Sequence, residues 1–139
     1  MRSTAVKPEG IKPGGFTLIE LVITLAIIAT LATIALPSYE EQLLQGRRSD
    51  ATTALSSFAQ RVERHFLEQG SYRTASTELY QPLSNGGHYS LSVTSTDNSY
   101  QLVATPTGIQ LSDTVCGSYR LNEQGVRENS GSGEPATCW

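Results

Sequence analysis

Residues 14–20 read Gly14-Gly15-Phe16-Thr17-Leu18-Ile19-Glu20, and the chain continues LVITLAIIATLATIAL before Pro37 closes the run. Residues 16–36 are 21 residues with one formal charge, Glu20. At helical rise they span about 31 Å, enough to cross a bilayer core. A cleaved secretory signal shares such a run but needs a small-x-small site after it, and Thr33-Ile34-Ala35 is a poor match. Glu20 separates the two readings. A carboxylate inside hydrocarbon costs about 3 kcal/mol even on lenient insertion scales, so it demands a partner, and a signal sequence has no use for one.

The charge distribution orients this segment. Arg2, Lys7 and Lys12 precede the apolar run against the single acid Glu9, so the positive-inside rule puts residues 1–15 in the cytoplasm and the rest outside. Beyond Gly15 seven arginines face twelve acids, a net charge of 7 − 12 = −5. An acidic body lacks the cationic footprint that non-specific nucleic-acid binding requires. The whole chain is 139 residues with 38% hydrophobic and 17% charged residues, which fits one folded domain and excludes a disordered tail or a multi-span membrane protein.

Past Pro37 the apolar period becomes helical and one-sided. Leu44, Ala51, Leu55, Phe58, Val62 and Phe66 recur at spacings of three, four or seven, with Ala54, Ala59 and Leu67 beside them. One long helix is expected over about 16–68, stopped by Gly70. Proline lacks an amide donor, so Pro37 predicts a kink or local unwinding over 33–37. Residues 70–87 read as a loop with a short turn of helix. Alternation at Tyr89, Leu91, Val93 and at Tyr100, Leu102, Ala104, with Thr96-Asp97-Asn98 between, predicts a β-hairpin. Third and fourth strands are expected over 115–121 and 126–128, separated by Asn122-Glu123-Gln124-Gly125. An antiparallel sheet of three or four strands would then bury Leu91, Val93, Leu102 and Tyr119 against Leu55, Phe58 and Val62, an α+β fold. The two cysteines, Cys116 and Cys138, pair naturally if this part is exported, or stay reduced in a cytosolic fold.

The stretch from Gly14 to Glu20 resembles the class III signal of type IV pilins and pseudopilins: glycine, Phe, a short apolar gap and Glu, opening an otherwise uncharged run. The resemblance implies the type IV pilin fold. It implies that a prepilin peptidase removes a leader (1–15) between Gly15 and Phe16 and that the new Phe16 amine is methylated. It also implies a transmembrane and filament-core helix (16–37) and a head (38–139) made of a half-helix (38–69), a loop (70–87), a sheet (88–128) and a disulfide-bounded region (116–138). Glu20 of a subunit in the filament would meet the Phe16 amine of an arriving one and fix register. The family's proline and its local helix melting match Pro37, although the glycine often found earlier in the melted segment is replaced here by Ala29.

Val115-Cys116-Gly117, Leu121-Asn122-Glu123-Gln124-Gly125 and Cys138-Trp139 are similar to the PilE-type minor pilins, a pattern the ComP-type DNA-uptake receptors share. Such a subunit is a single-pass, N-in protein of the bacterial inner membrane before it joins an extracellular pilus that serves twitching motility and adhesion. Its partners are other pilin subunits, the prepilin peptidase and the inner-membrane assembly platform. DNA reception and a type II secretion pseudopilin are the alternatives. For DNA, Arg47, Arg48, Arg61, Arg64 and Arg73 could line one flank, with Tyr72, Tyr80 and Tyr89 as stacking surfaces. The simpler account pairs helix arginines with Glu40, Glu41, Glu63 and Glu68. His65 is expected to be solvated or at an interface. Trp139 is expected to pack over the disulfide rather than stand as a contact to another subunit. No nucleophile–base constellation, metal-ligand spacing or cofactor motif appears, which argues against an enzyme.

Overall fold

The computed structural model describes residues 14–79 and 81–139; Arg2, Lys7, Lys12 and Tyr80 lie outside the described residues. The chain divides into two units, Met1–Ser38 and Tyr39–Trp139. Helix α1 (Leu18–Gln69) contributes to both.

In the first unit α1 is long and apolar enough to cross a membrane, with a mean hydropathy of 2.4 over its most apolar window. Its side chains point away from any protein core: Leu18, Ile19, Ile28 and Ile34 are all exposed. Hydroxyls in this run satisfy themselves, since Thr24, Thr30 and Thr33 each donate to the carbonyl three residues back, at 2.9, 2.8 and 2.7 Å. That removes the penalty a free hydroxyl would carry in lipid. The helix continues through Pro37, so the unwinding expected over 33–37 is not present in this structure. A proline costs its helix one hydrogen bond and strains the turn before it, but flanking turns of good helix formers hold the segment helical.

In the second unit α1 lies on an antiparallel sheet. After α1 come the single turn α2 (Ala75–Glu78), β1 (Tyr89–Ser95), β2 (Tyr100–Pro106), a 3-10 turn (Gly108–Ser112), β3 (Tyr119–Asn122), β4 (Arg127–Asn129) and the short α3 (Pro135–Cys138). Sheet order is β1-β2-β3-β4. The register pairs Leu91 with Ala104, Leu102 with Leu121, and Arg120 with Glu128. Even spacing then puts Tyr89, Leu91, Tyr100, Leu102, Tyr119 and Leu121 on one face, all buried. Ala51, Ala54, Leu55, Phe58 and Val62 of α1 complete the core.

The expected core residues are buried, with Val93 partly so. Leu67 is not part of the stripe: it is 84% exposed, one position off the face that Val62 and Phe66 occupy. His65 takes that place instead, 6% exposed, with Nε2 2.9 Å from Thr74 Oγ1 and Nδ1 3.5 Å from Glu78. A buried imidazole is tolerated because both ring nitrogens find oxygen partners. The third strand begins at Tyr119 rather than at 115 because residues 114–118 pair elsewhere. Ser130, Gly131 and Gly133 donate to the carbonyls of Ser118, Cys116 and Val115 at 2.9, 3.0 and 2.7 Å.

Candidate functional site

The residues that the resemblance singles out, Gly15, Phe16 and Glu20, stand together at the start of α1. Gly14 and Gly15 precede the helix and are exposed, as is Phe16. Thr17 caps the helix: its hydroxyl accepts from the Glu20 N–H at 3.3 Å, and its carbonyl accepts from the Leu21 N–H at 3.2 Å. Thr17-Leu18-Ile19-Glu20 has the spacing of a capping box, a signal overlooked in the sequence reading. Glu20 thus sits in the first turn, where the helix dipole favours a carboxylate, with its side chain uncovered by the rest of the described chain. Gly15 and Phe16, between which the resemblance implies cleavage, are both exposed and non-helical. Residues 1–13, the remainder of the expected leader, lie outside the described residues.

At the other end of the chain Cys116 and Cys138 form a disulfide with Cα atoms 5.6 Å apart, and both residues are buried. Trp139 packs beside it as expected. Its ring meets Tyr119 edge-on at 5.5 Å, Arg127 lies over it at 5.4 Å, and its Nε1 donates to the Glu128 carbonyl at 3.1 Å. That last bond also covers the outer edge of the three-residue strand β4, which would otherwise invite another strand to pair.

Of the five arginines named as a DNA flank, Arg48, Arg61 and Arg73 are engaged within the chain. Arg48 makes a two-point ion pair with Asp113, Nε to Oδ2 at 2.7 Å and Nη2 to Oδ1 at 2.8 Å. Burial pushes the Asp113 carboxyl up, but the Arg48 bonds and the Cys116 N–H outweigh it and leave the group below the usual carboxylate range. Arg73 grips Asp97 with both ends of its guanidinium. Arg61 donates to Gln81 and lies over the Phe58 ring at 4.9 Å. Among the described residues Arg47 and Arg64 enter no ion pair, and the same is true of Arg120 and Arg127 on the sheet. Tyr72 and Tyr89 are buried, so neither offers a stacking surface.

The expected arginine–glutamate pairs along α1 are also absent among the described residues. Glu63 turns inward and accepts from the hydroxyls of Tyr72 and Tyr100 at 3.0 and 2.9 Å. Asp50 does the same for the loop before β1, accepting from Ser84 Oγ at 2.6 Å and from the Gly86 N–H at 2.9 Å. Buried or half-buried donors outcompete exposed arginines for these carboxylates, because an unsatisfied donor under the loop costs more than a solvated ion pair returns.

Comparison with known proteins agrees with this geometry at both ends. Residues 37–120 match the family described as type IV minor pilin ComP, DNA uptake sequence receptor, and residues 12–36 match the prokaryotic N-terminal methylation motif. A fimbrial protein of Neisseria meningitidis is 35% identical over 63 residues, covering 45% of this chain and 37% of that protein. The type IV major pilin PilA of Myxococcus xanthus is 35% identical over 75 residues, covering 54% and 34%. The chain therefore spans little more than a third of the length of the relatives it matches. A solved type IV pilin from Shewanella oneidensis is 40% identical, covers 69% of this chain and 97% of its own, and superposes with a TM-score of 0.52. The non-core minor pilin PilV of Neisseria meningitidis, 20% identical with a TM-score of 0.55 over 67% of this chain and 92% of its own, shares the fold. With a helix that opens on a methylation motif, a four-stranded antiparallel sheet and a disulfide-tied end, this chain belongs to the type IV pilin family, its residues 37–120 within the ComP minor-pilin family.

Proposed function

We propose that this chain is a minor subunit of a type IV pilus, made as an inner-membrane precursor with residues 1–15 inside and the head outside. A prepilin peptidase cuts it between Gly15 and Phe16 and methylates the new amine. The assembly platform then moves the subunit from the membrane into a filament of other pilins, where the apolar half of α1 exchanges lipid for neighbouring helices. The observation that carries this reading is the uncharged, exposed face of α1, interrupted by one carboxylate in its first turn. Glu20 and the Phe16 amine of the next subunit would each gain a counter-ion on assembly, which fixes register. In this reading the chain does no chemistry of its own.

The test is mass spectrometry of sheared pili. The expected result is a peptide beginning at methylated Phe16, at far lower copy number than the major subunit. Detection only in membranes, or with residues 1–15 attached, would overturn it. Scoring a deletion strain for surface pili and twitching against protein secretion separates this role from that of a secretion pseudopilin.

A second reading, DNA reception, is favoured by the ComP family match. It has Arg47, Arg64, Arg120 and Arg127 as its available cations, and each phosphate contact would add salt dependence. A gel shift of the full chain in detergent with short duplex DNA decides it. Binding that weakens steeply as salt rises supports the reading, and no shift at low salt removes it.

A further inference from the structure

The second unit has two ends. One is where α1 enters it, near Leu44, with Asp50, the loop at 84–88 and the 3-10 turn; the other holds Glu63, Tyr72 and the turn at 96–99. Exposed large apolar side chains are unevenly shared between them. Tyr39, Leu43, Leu83, Ile109, Leu111 and Val115 lie at the entry end, whereas among the described residues only Leu67 and Val126 lie toward the other. Ile109 and Leu111 are the most open of those in the sheet connections, 71% and 66% exposed.

They are also held rigidly. Gln110, between them, points inward and is fully buried, donating to Tyr89 Oη at 2.9 Å and to the Leu44 carbonyl at 3.2 Å. Asp113 closes the same turn through Arg48. The turn thus uses a buried polar anchor to display two aliphatic side chains to solvent, a layout that serves an apolar partner.

We infer that the turn Gly108–Ser112 is a lipid-contacting foot: Ile109 and Leu111 enter the interfacial layer of the outer leaflet while the chain is anchored by residues 16–36. The inference rests on the membrane-precursor reading above. Leu44, against which the turn is fixed, follows Leu36 by eight residues, at most about 29 Å of chain however it is bent. A tether that short presents the turn to the bilayer at an effective concentration on the order of millimolar, so two side chains suffice where a free protein would need a larger anchor. Tyr39, exposed at the same end, has the amphipathic ring favoured at a headgroup boundary. Glu40 and Glu41 lie exposed beside it, so the matching surface is zwitterionic rather than anionic. Extraction into a filament would lift the foot from the lipid.

The test uses the full chain in phosphatidylcholine nanodiscs, with and without bromine on the acyl chains near the carbonyl. Trp139 is the single tryptophan, so a Trp139→Phe background is dark, and Leu111→Trp adds one probe at the foot. Bromination should cut its emission roughly twofold, as befits a side chain about 5–10 Å into the headgroup–acyl boundary. Leu31→Trp, in the anchor, reports the reading on which the foot depends, and Leu67→Trp reports the far end. Quenching at Leu31→Trp and Leu111→Trp but not at Leu67→Trp supports the foot. Quenching at Leu31→Trp alone overturns the foot and leaves the anchor standing; equal quenching at Leu67→Trp also overturns it. No quenching at Leu31→Trp removes the anchor itself. Blue-shifted but unquenched emission at Leu111→Trp would assign the turn to a neighbouring protein instead.

Discussion

Arg48 and Asp113, 65 residues apart in sequence, meet in parallel two-point geometry at 2.7 and 2.8 Å, and the carboxylate side is almost wholly shut off from water. Asp113 also accepts from the Cys116 N–H at 3.2 Å. One carboxylate therefore links the helix, the 3-10 turn and the disulfide. Removing one partner of a buried pair leaves the other uncompensated, whereas replacing both by apolar groups is often neutral. Asp113→Asn is expected to cost about 3 kcal/mol, seen as a Tm drop of roughly 10–20 °C by calorimetry, while Arg48→Met with Asp113→Leu recovers only part of it, because the Cys116 N–H then lacks its acceptor. An unchanged Tm for Asp113→Asn would refute this linking role.

The same pair sets a pH dependence. The Asp113 carboxyl is held below its ordinary value in the folded chain, so its stabilisation is fully present above the unfolded value of about 3.9 and is lost as pH falls through the folded one. Asp97 follows the same sign in the open: the Arg73 and Ser71 hydrogen bonds lower its carboxyl to about 2. Carboxyl NMR should find Asp97 titrating near there, and Arg73→Gln should return it to the ordinary range. A midpoint near the usual value in the unaltered chain would show that the Arg73 contact does not persist in solution.

The disulfide closes a loop of 22 residues, which constrains the unfolded chain by about 3 kcal/mol. Its partner device is Gly131, where an added Cβ would come within 2.2 Å of the Val115 carbonyl oxygen. Both Cys138→Ala and Gly131→Ala should expose residues 129–139 to proteolysis before the sheet opens. Equal protease resistance in either variant would mean that this segment is held without them.

Why some of this was legible in the sequence and some was not follows from range. The apolar run at 16–36 and the spacing of Ala51, Leu55, Phe58 and Val62 are local periodicities, and the helix and its buried face follow from them. The alternations around Tyr89 and Tyr100 gave the hairpin for the same reason. Arg48 looked like one more solvated helix cation because its partner is 65 residues away. Glu63 reads as available to arginines because nothing local announces that the Tyr72 and Tyr100 hydroxyls compete for it. His65 and Leu67 exchanged expected roles over two positions, about 200° of helix, a choice decided by Thr74 and Glu78 across the chain reversal.

Glu20 carries the proposed assembly step, and its position in the free subunit makes the expected phenotype specific. The carboxylate lies in the first turn of α1, and the Thr17 cap uses only the Glu20 backbone N–H, so among the described residues nothing engages the side chain. Among the described residues, replacing it with valine removes no hydrogen bond or ion pair of that side chain, and it makes the run more apolar, so membrane insertion should be unaffected or improved. Filament entry should suffer, because the arriving Phe16 amine would be buried without a counter-ion at a cost of about 3 kcal/mol, a roughly hundredfold loss. Counting the Glu20→Val chain in membranes and in sheared pili from the same cells measures both halves. Wild-type abundance in the pili would take the register role away from Glu20, and depletion from the membranes would show that the carboxylate serves insertion instead.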